Sequence, residues 1–413
     1  MKKKLSLPDW LLIALFLGIV FGLCAHGFFP AVFNDFLIKW LFNPLGDIFL
    51  RSIKMLVIPL VFCALVSGVS AIGDVKKLGR ISGKIVSYYL LTTALAVTIA
   101  LIFANLIQPG RGLNLTLPTG YHAAQPPFIM DVFVNMIPQN PIEALVKGEM
   151  LQIIVFAVLL GIGIILLGAP ARSLLNVITQ ANDVMMKIVG ILMKLAPYGI
   201  FALAAKVFML QGVEVLLPLL KYVLTILLVL LFQLLLVYGA ALKFIGKVHP
   251  LKFFKKFRAV MVVAFGTASS NATIPFTLKT CQKNLGIPEG LCSLTIPLGA
   301  TFNMDGTAIM QGVAAVFIAQ VFGIHLTVGH QLLIILTALL ASIATAGVPG
   351  AGLLMLSMVL QQVGLPVEGI ALILSVDRLL DMARTVVNVT GDAVGTVIVA
   401  NSEKELDLGV YNS

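Results

Sequence analysis

The sequence predicts an all-α, polytopic membrane protein with two re-entrant hairpins. Three observations carry that expectation. Of 413 residues, 59% are hydrophobic and 11% charged, where soluble domains carry roughly 25% charge. Apolar windows recur along the chain, most of them near the ~20 residues that span a hydrocarbon core. The last window carries polar groups that a lipid-facing helix does not tolerate.

Taken in order, the first window is Trp10–His26, preceded by Lys2–Lys4 and followed by no small-residue cleavage pattern, so no cleavable signal is expected. Met55–Ile72 and Ile85–Ile107 follow. Pro138 and Pro141 precede the window Leu151–Leu167 and predict that this segment is broken into pieces. Val189–Leu210 and Leu216–Phe244 complete a first half with few interior charges. The second half holds Leu291–Phe322, Leu332–Ala346 and Ile370–Ala400, and is richer in Gly, Ser, Thr and Asn.

The net charge of +10 is no nucleic-acid signal, because it follows alternate loops. Lys2–Lys4, then Lys76, Lys77, Arg80 and Lys84, then Lys243, Lys247, Lys252, Lys255, Lys256 and Arg258 mark the cytoplasmic side. Gly27–Asp35 and Phe322–His330 carry no Lys or Arg, and Gln108–Pro127 carries only Arg111. Both termini are therefore expected in the cytoplasm. Cys24, Cys63, Cys281 and Cys292 have neither metal nor redox spacing and read as core residues. Asn114-Leu-Thr matches a glycosylation sequon by chance.

Two segments of the second half are interrupted at their centres: AFGTASSNATIPF at 264–276 and ASIATAGVPGAG at 341–352. Small and hydroxyl residues followed by proline, inside apolar arms, fit a hairpin that enters and leaves by one face. Its tip exposes free backbone groups and must be buried in protein or line a cavity. Two such segments, each followed by a complete span, point to an inverted-repeat transporter with a midplane site. Packing faces of small residues are the alternative. Between them, PLGATFNMDGT at 297–307 places Asn303 and Asp305 between Gly299 and Gly306, the pattern of an unwound helix. Freed carbonyls, a carboxylate and hydroxyls suit a hard cation such as Na⁺. Tyr89, Thr92 and Thr93 add hydroxyls that could reach the same ion, although such threonines more often bond back to their own helix.

In VDRLLDMARTVVNVTGD at 376–392, Asp377, Asp381, Arg384, Asn388 and Asp392 fall at about 0°, 40°, −20°, 20° and 60° on a helix of ~100° per residue. Each ionised group at the bilayer centre costs roughly 2.5–3.5 kcal/mol. The stripe must face protein, substrate, ions or water. An ion-pair ladder between Asp381 and Arg384 is the structural alternative. Three carboxylates facing one arginine leave a surplus negative charge that calls for cations.

The motifs Asn303–Thr307, Ala346–Gly352 and Asp381–Asp392 together resemble the dicarboxylate/amino acid:cation symporters, over essentially the whole chain from Asp9 to about Ala400. The nearest in look are the archaeal sodium–aspartate symporters, relatives of the mammalian excitatory amino acid transporters. The resemblance implies eight transmembrane helices plus the two hairpins, in a homotrimer in the plasma membrane. A scaffold (about 8–72 and 129–212) would hold a transport domain (about 78–107 and 216–401) that moves like an elevator, with residues 402–413 as a cytoplasmic tail. It implies that Arg384 would pair with a substrate carboxylate and Asp381 with the α-amino group. Thr307, Thr385, Asn388, Ser269 and Ser270 would hydrogen-bond the substrate, with Val348 and Gly352 closing over it as a gate. Three co-transported Na⁺ are implied. One would sit at Asp392 with the Gly299, Asn303 and Asn388 carbonyls. A second would use the Thr301, Ser342, Ile343 and Thr345 carbonyls. A third would use Thr92, Thr93, Asn303, Asp305 and the Tyr89 carbonyl. Asp377 would steer Arg384 from behind. L-aspartate or L-glutamate is the implied substrate, with a C4-dicarboxylate or proton-coupled glutamate carrier as the alternative. The chain departs from the family pattern at Ala268 and Met382, where an arginine is common, and at Asn271, where serine is common. Gln311 stands where mammalian relatives carry a proton-accepting glutamate. An intramembrane aspartyl protease is disfavoured because Gly391-Asp392 lacks the Gly-x-Gly-Asp context. A channel is disfavoured because two hairpins would plug its pore.

Overall fold

Every apolar window of the sequence is helical over most of its described residues, with breaks at Lys194–Leu195, Asn303–Met304 and Thr345. The computed structural model describes residues 7–70, 77–113, 115, 134–192, 194–345, 347 and 350–413, and no strand occurs among them. Asn114, Lys76 and Val348 lie outside the described residues.

The first half comprises α1 (Leu7–Phe28), α2 (Ala31–Leu37), α3 (Asn43–Ser70), α4 (Lys77–Ile107), α5 (Pro141–Lys147), α6 (Met150–Leu167), α7 (Arg172–Leu192), α8 (Ala196–Gln211) and α9 (Leu216–Phe232). The expected break around Pro138 and Pro141 is α5, a short helix with Pro141 in its first turn, where a missing N–H costs nothing. Asn140 caps it by accepting from the Ile142 and Glu143 amides at 3.0 and 3.3 Å. The window Val189–Leu210 is divided between α7 and α8, with Pro197 in the first turn of α8. Beyond α9 the helix continues to Ile245, but Gln233–Val237 and Ala241–Ile245 are wound as wider π-helix.

In the second half, α10 (Pro250–Thr267) and α11 (Ser270–Lys283) are the arms of the first hairpin. Ala268 turns between them in the left-handed region, at φ 47°. That conformation costs an alanine roughly 1–2 kcal/mol. Ser269 offsets part of it by capping α11, accepting from the Ala272 amide at 3.2 Å. The break is therefore narrower than the expected 264–276, and Pro275 sits inside α11. The long window around residue 303 is two helices, α12 (Glu289–Phe302) and α13 (Asp305–Val321), parted at Asn303 and Met304. The second hairpin has arms α14 (Val328–Ala344) and α15 (Ala351–Gln362), with Gly350 left-handed at φ 81° where α15 starts. The polar stripe lies on one unbroken helix, α16 (Ile370–Ser402), and a short α17 (Leu408–Asn412) ends the chain.

Packing sorts these elements into two groups. Helix α1 lies along α8, and α3 packs against α6, α7 and α8. In the other group α4 packs on α13, while α9, α10, α12 and α13 all contact α16. The groups meet where α8 touches α16 and α3 touches α15. Arg80–Ile107, Ala196–Ile245 and Glu289–Val321 are long and apolar enough to cross a bilayer. The core window of the last is 94% buried against 39% for the first. The broken helix pair α12–α13 is thus enclosed by protein, while α4 turns large side chains such as Leu91 and Leu106 outward.

At the end of α16, Glu403 pairs with Arg80 and with Lys84 Nζ at 2.6 Å, tying α16 to α4. Helix α17 folds back on the first hairpin. Tyr411 is buried, and Lys256 Nζ donates to the Val410 carbonyl at 2.6 Å. The Lys84 ammonium, with Arg80 behind it, holds the Glu403 carboxyl below the ordinary range. A carboxyl with a lowered folded value contributes stability above its unfolded value, about 4.3, and loses it as pH falls through the folded one. Amide protection at the end of α16, corrected for the intrinsic exchange rate at each pH, should fall modestly as pH drops below about 4. Glu403→Gln should exchange faster at neutral pH and lose that acid dependence, as hydrogen-exchange mass spectrometry would read.

Candidate functional site

The site is assembled where α16 passes the broken joint between α12 and α13 and the tips of both hairpins. Because α16 is continuous, its polar residues keep the helical stripe and arrive on one side. Arg384 is fully buried and donates Nη1 to Asp377 Oδ1 at 2.7 Å and Nη2 to Asp381 Oδ1 at 2.8 Å. Arg378 Nη1 also stands 3.5 Å from Asp381 Oδ2. That contact corrects the charge count of the stripe. Arg378 lies about 100° from Asp377 on a helix, off the polar stripe, yet its long side chain reaches back to Asp381. Asp377 and Asp381 thus face two arginines.

Among the described residues, the buried negative charge without a cationic partner lies elsewhere, at Asp305 and Asp392. Their exposures are 0% and 2%, and only neutral groups bond them among the described residues. Asp305 accepts from Thr93 Oγ1 at 2.5 Å on Oδ1, and from Gln233 Nε2 at 3.1 Å and Tyr238 Oη at 2.8 Å on Oδ2. Asp392 Oδ1 accepts from Asn303 Nδ2 at 2.9 Å. Buried isolated carboxylates are costly unless a cation or proton compensates them. Asn303 Oδ1 is buried with no donor among the described residues, which suits a cation ligand more than a packing group.

The unwound joint performs the docking. Gly306 N–H donates to Asn388 Oδ1 at 2.7 Å, and Asn303 Nδ2 also reaches the Asn388 carbonyl at 3.3 Å. A Cβ at Gly306 would lie 2.5 Å from the Arg384 carbonyl, and one at Gly299 would lie 2.6 Å from both Asp392 Oδ1 and Tyr89 Oη. Glycine is required at both positions for the helices to approach this closely.

A small cavity opens beside Asp381, and Arg384 lies behind that carboxylate without lining the cavity itself. Six of the residues expected to contact substrate line it: Ser270, Thr307, Gly352, Asp381, Thr385 and Asn388. Ala268, Met304, Thr345 and Gly347 complete its wall, none of them expected as substrate contacts. Ser269 is turned instead into the hairpin-to-hairpin contact, donating to the Gly347 carbonyl at 2.7 Å, with the Asn271 amide on the same oxygen at 3.1 Å. Thr385 donates back to the Asp381 carbonyl at 2.8 Å. Asn388 Nδ2 reaches Thr307 Oγ1 at 3.4 Å. Asp381 Oδ2 accepts from the Gly350 amide at 3.2 Å, so the second hairpin is fastened to α16. A Cβ at Gly352 would lie 3.0 Å from Thr307 Cγ2 and 3.7 Å from Arg384 Nη2.

The expected cation ligands are brought together to different degrees. Asp392, Gly299, Asn303 and Asn388 converge as described. Around Asp305, Thr93 and Asn303 flank the carboxylate's neighbourhood, while Thr92 donates to the Tyr89 carbonyl at 3.2 Å, the back-bonding alternative. Ser342 and Thr345 are buried at the end of α14, with Ile343 half-buried, and α14 packs on α12, which holds Thr301. A Cβ at Gly347 would lie 3.0 Å from the Ala300 carbonyl, which brings the hairpin tip beside that segment. Gln233, Tyr238 and Arg378 are site neighbours that motif reading missed.

Comparison with known proteins shows the family. The model of the sodium:dicarboxylate symporter family matches residues 7–402. The chain is 36% identical over 419 residues to the proton/sodium-glutamate symport protein of Geobacillus stearothermophilus, covering 99% of this chain and 96% of that protein. It is 36% identical over 416 residues to the proton/glutamate-aspartate symporter of Escherichia coli (strain K12), covering 98% and 94%. It is 32% identical over 418 residues to the C4-dicarboxylate transport protein of Bacillus subtilis (strain 168), covering 98% and 96%.

Proposed function

This chain belongs to the sodium:dicarboxylate symporter family, and from that premise we propose that it couples inward Na⁺ movement to uptake of an acidic amino acid, L-aspartate or L-glutamate, by alternating access. Members of the family are transporters rather than enzymes. One arrangement carries the finer reading: a buried guanidinium bonded to Asp381 in the cavity wall, and two further buried carboxylates, Asp305 and Asp392, that only neutral groups bond among the described residues. The guanidinium suits a substrate carboxylate, bound in the bidentate geometry of a fork. The two carboxylates suit cations that enter with it. Hydroxyl, amide and carbonyl oxygens around them favour Na⁺.

In this reading Arg384 holds the substrate's side-chain carboxylate, Asp381 its ammonium, and Thr307, Thr385, Asn388 and Ser270 its remaining oxygens. Gly352 and the neighbouring tip close over it. Asp392 and Asp305 each take a cation, with a third under the second hairpin at Thr301 and Ser342–Thr345. Closure of that hairpin then completes substrate and ion sites together, which couples their binding reciprocally. The transport domain comprises α4 and α9–α16 and the scaffold comprises α1, α3 and α6–α8, a division supported by the packing groups. We extend the reading to an elevator motion within a homotrimer in the plasma membrane, with cytoplasmic termini on the strength of the loop charges.

One observation favours a second reading. Asp381 already meets Arg384, Arg378 and the Gly350 amide, so its charge is partly spent before any ammonium arrives. A C4-dicarboxylate lacking the amino group would then bind as well. Competition for radiolabelled L-aspartate uptake in proteoliposomes separates the two. On the amino-acid reading, unlabelled aspartate should compete at a concentration roughly 100-fold or more below succinate, since succinate offers Asp381 no ammonium. Succinate competing equally would move the assignment to the dicarboxylate.

A further inference from the structure

We propose that Gln233 and Tyr238 are positioning residues for the cation at Asp305: they pin one oxygen of that carboxylate and leave the other free to bind the ion. The proposal rests on the reading of Asp305 as a cation ligand. On a regular α-helix two residues five apart point about 140° away from each other. The π-helical stretch Gln233–Val237 widens the turn between them. Both side chains consequently reach the same atom, Asp305 Oδ2, at 3.1 and 2.8 Å. π-Bulges frequently mark functional positions.

The acceptor count gives this arrangement a direction. A carboxylate offers about four acceptor positions, two on each oxygen. Gln233 and Tyr238 take both on Oδ2, and Thr93 takes one on Oδ1. The remaining position lies on the side of Thr92 and Thr93; the Thr92 hydroxyl also reaches this carboxylate, but its proton goes equally to the Tyr89 carbonyl at 3.2 Å, so a cation directed there meets the Thr92 oxygen as a further ligand. Leucine and phenylalanine would pack an apolar helix as well, without burying an amide whose Oε1 lacks a donor among the described residues. The surroundings also make room for the contact. Tyr238 Oη stands 3.3 Å from the Val387 carbonyl, between α13 and α16. A Cβ at Gly391 would lie 2.4 Å from that hydroxyl and 2.5 Å from Asn303 Nδ2. Gly391 therefore keeps space for the anchors of both carboxylates.

The test uses full-length purified protein, L-aspartate, and titrations with Na⁺ and with Li⁺. Tyr238→Phe removes only the hydroxyl, and Gln233→Leu only the amide, with Gln233→Met as a second choice should the first fold poorly. Each variant should raise the Na⁺ concentration for half-maximal aspartate binding roughly tenfold or more, the loss expected for one hydrogen bond to a charged group. Aspartate affinity at saturating Na⁺ should stay within about threefold of the original. The Na⁺ over Li⁺ preference should fall, because cation selectivity follows the rigidity of the ligand set. A merely structural role would lower both affinities and leave that ratio alone. Asp305→Asn separates the proposal from the reading beneath it. A shifted Na⁺ requirement in Asp305→Asn, with Tyr238→Phe and Gln233→Leu unchanged, overturns the positioning role alone. An unchanged requirement in Asp305→Asn overturns the cation site, and the proposal with it.

Discussion

Arg384→Ala should abolish binding of acidic substrate, with a loss of at least about 100-fold. Removing one partner of a buried charge pair costs about 3–5 kcal/mol, and every 1.4 kcal/mol is about tenfold in affinity. Arg384 is buried, and two of its roughly five N–H donors go to Asp377 and Asp381. Asp381, which it holds, lines the cavity, and in the proposed reading the remaining donors turn to a substrate carboxylate bound there. Without the guanidinium, Arg378 is the cation left against Asp377 and Asp381, and a substrate carboxylate would meet net negative charge. Lysine should not rescue the loss, because an ammonium cannot serve two carboxylates and a ligand with a planar fork. Calorimetric titration of purified protein with L-aspartate at saturating Na⁺ measures the effect, and circular dichroism shows whether the helices persist. Unchanged affinity in Arg384→Ala would remove Arg384 from the substrate site.

Asp392→Asn should raise the cation concentration needed for substrate binding by about tenfold or more while leaving the protein as stable as before or more so. The two effects have opposite signs for one physical reason. A buried carboxylate bonded by the Asn303 amide alone among the described residues carries an uncompensated desolvation cost. The amide of the variant removes that cost and still accepts the Asn303 hydrogen bond through its oxygen. It offers a cation a dipole in place of a charge. Thermal unfolding in detergent without Na⁺ and aspartate binding against Na⁺ concentration read the two quantities. A variant that loses stability and keeps its Na⁺ dependence would make Asp392 a structural residue.

Much of this site was legible in the chain because helices convert spacing into direction. The stripe from Asp377 to Asp392 needed only a regular helix, and α16 is unbroken across it. The joint at Asn303 and Met304 was legible because polar residues between two glycines cannot continue an apolar span without a cost. The hairpin tips were marked by runs of small and hydroxyl residues, although Ala268 makes one turn in a conformation usually left to glycine. What could not be read depends on tertiary reach. Arg378 lies off the stripe and joins Asp381 through the length of its side chain. Gln233 and Tyr238 sit on opposite sides of an ideal helix and meet only through the π-turn. The surplus charge consequently belongs to Asp305 and Asp392, in a cluster that spacing on one helix cannot resolve. The fold of α17 onto the first hairpin is of the same kind, since it rests on Tyr411 and on backbone carbonyls that meet Lys252 and Lys256.

The central claim is that the buried carboxylates carry Na⁺ in with an acidic substrate. Its most direct measurement is L-aspartate uptake into proteoliposomes, with Na⁺ and pH gradients imposed separately and the membrane potential clamped. An inward Na⁺ gradient at equal pH should drive accumulation, and Asp305→Asn and Asp392→Asn should each weaken that dependence. Full accumulation driven by a pH gradient in Na⁺-free buffer would contradict the claim and assign the two carboxylates to protons.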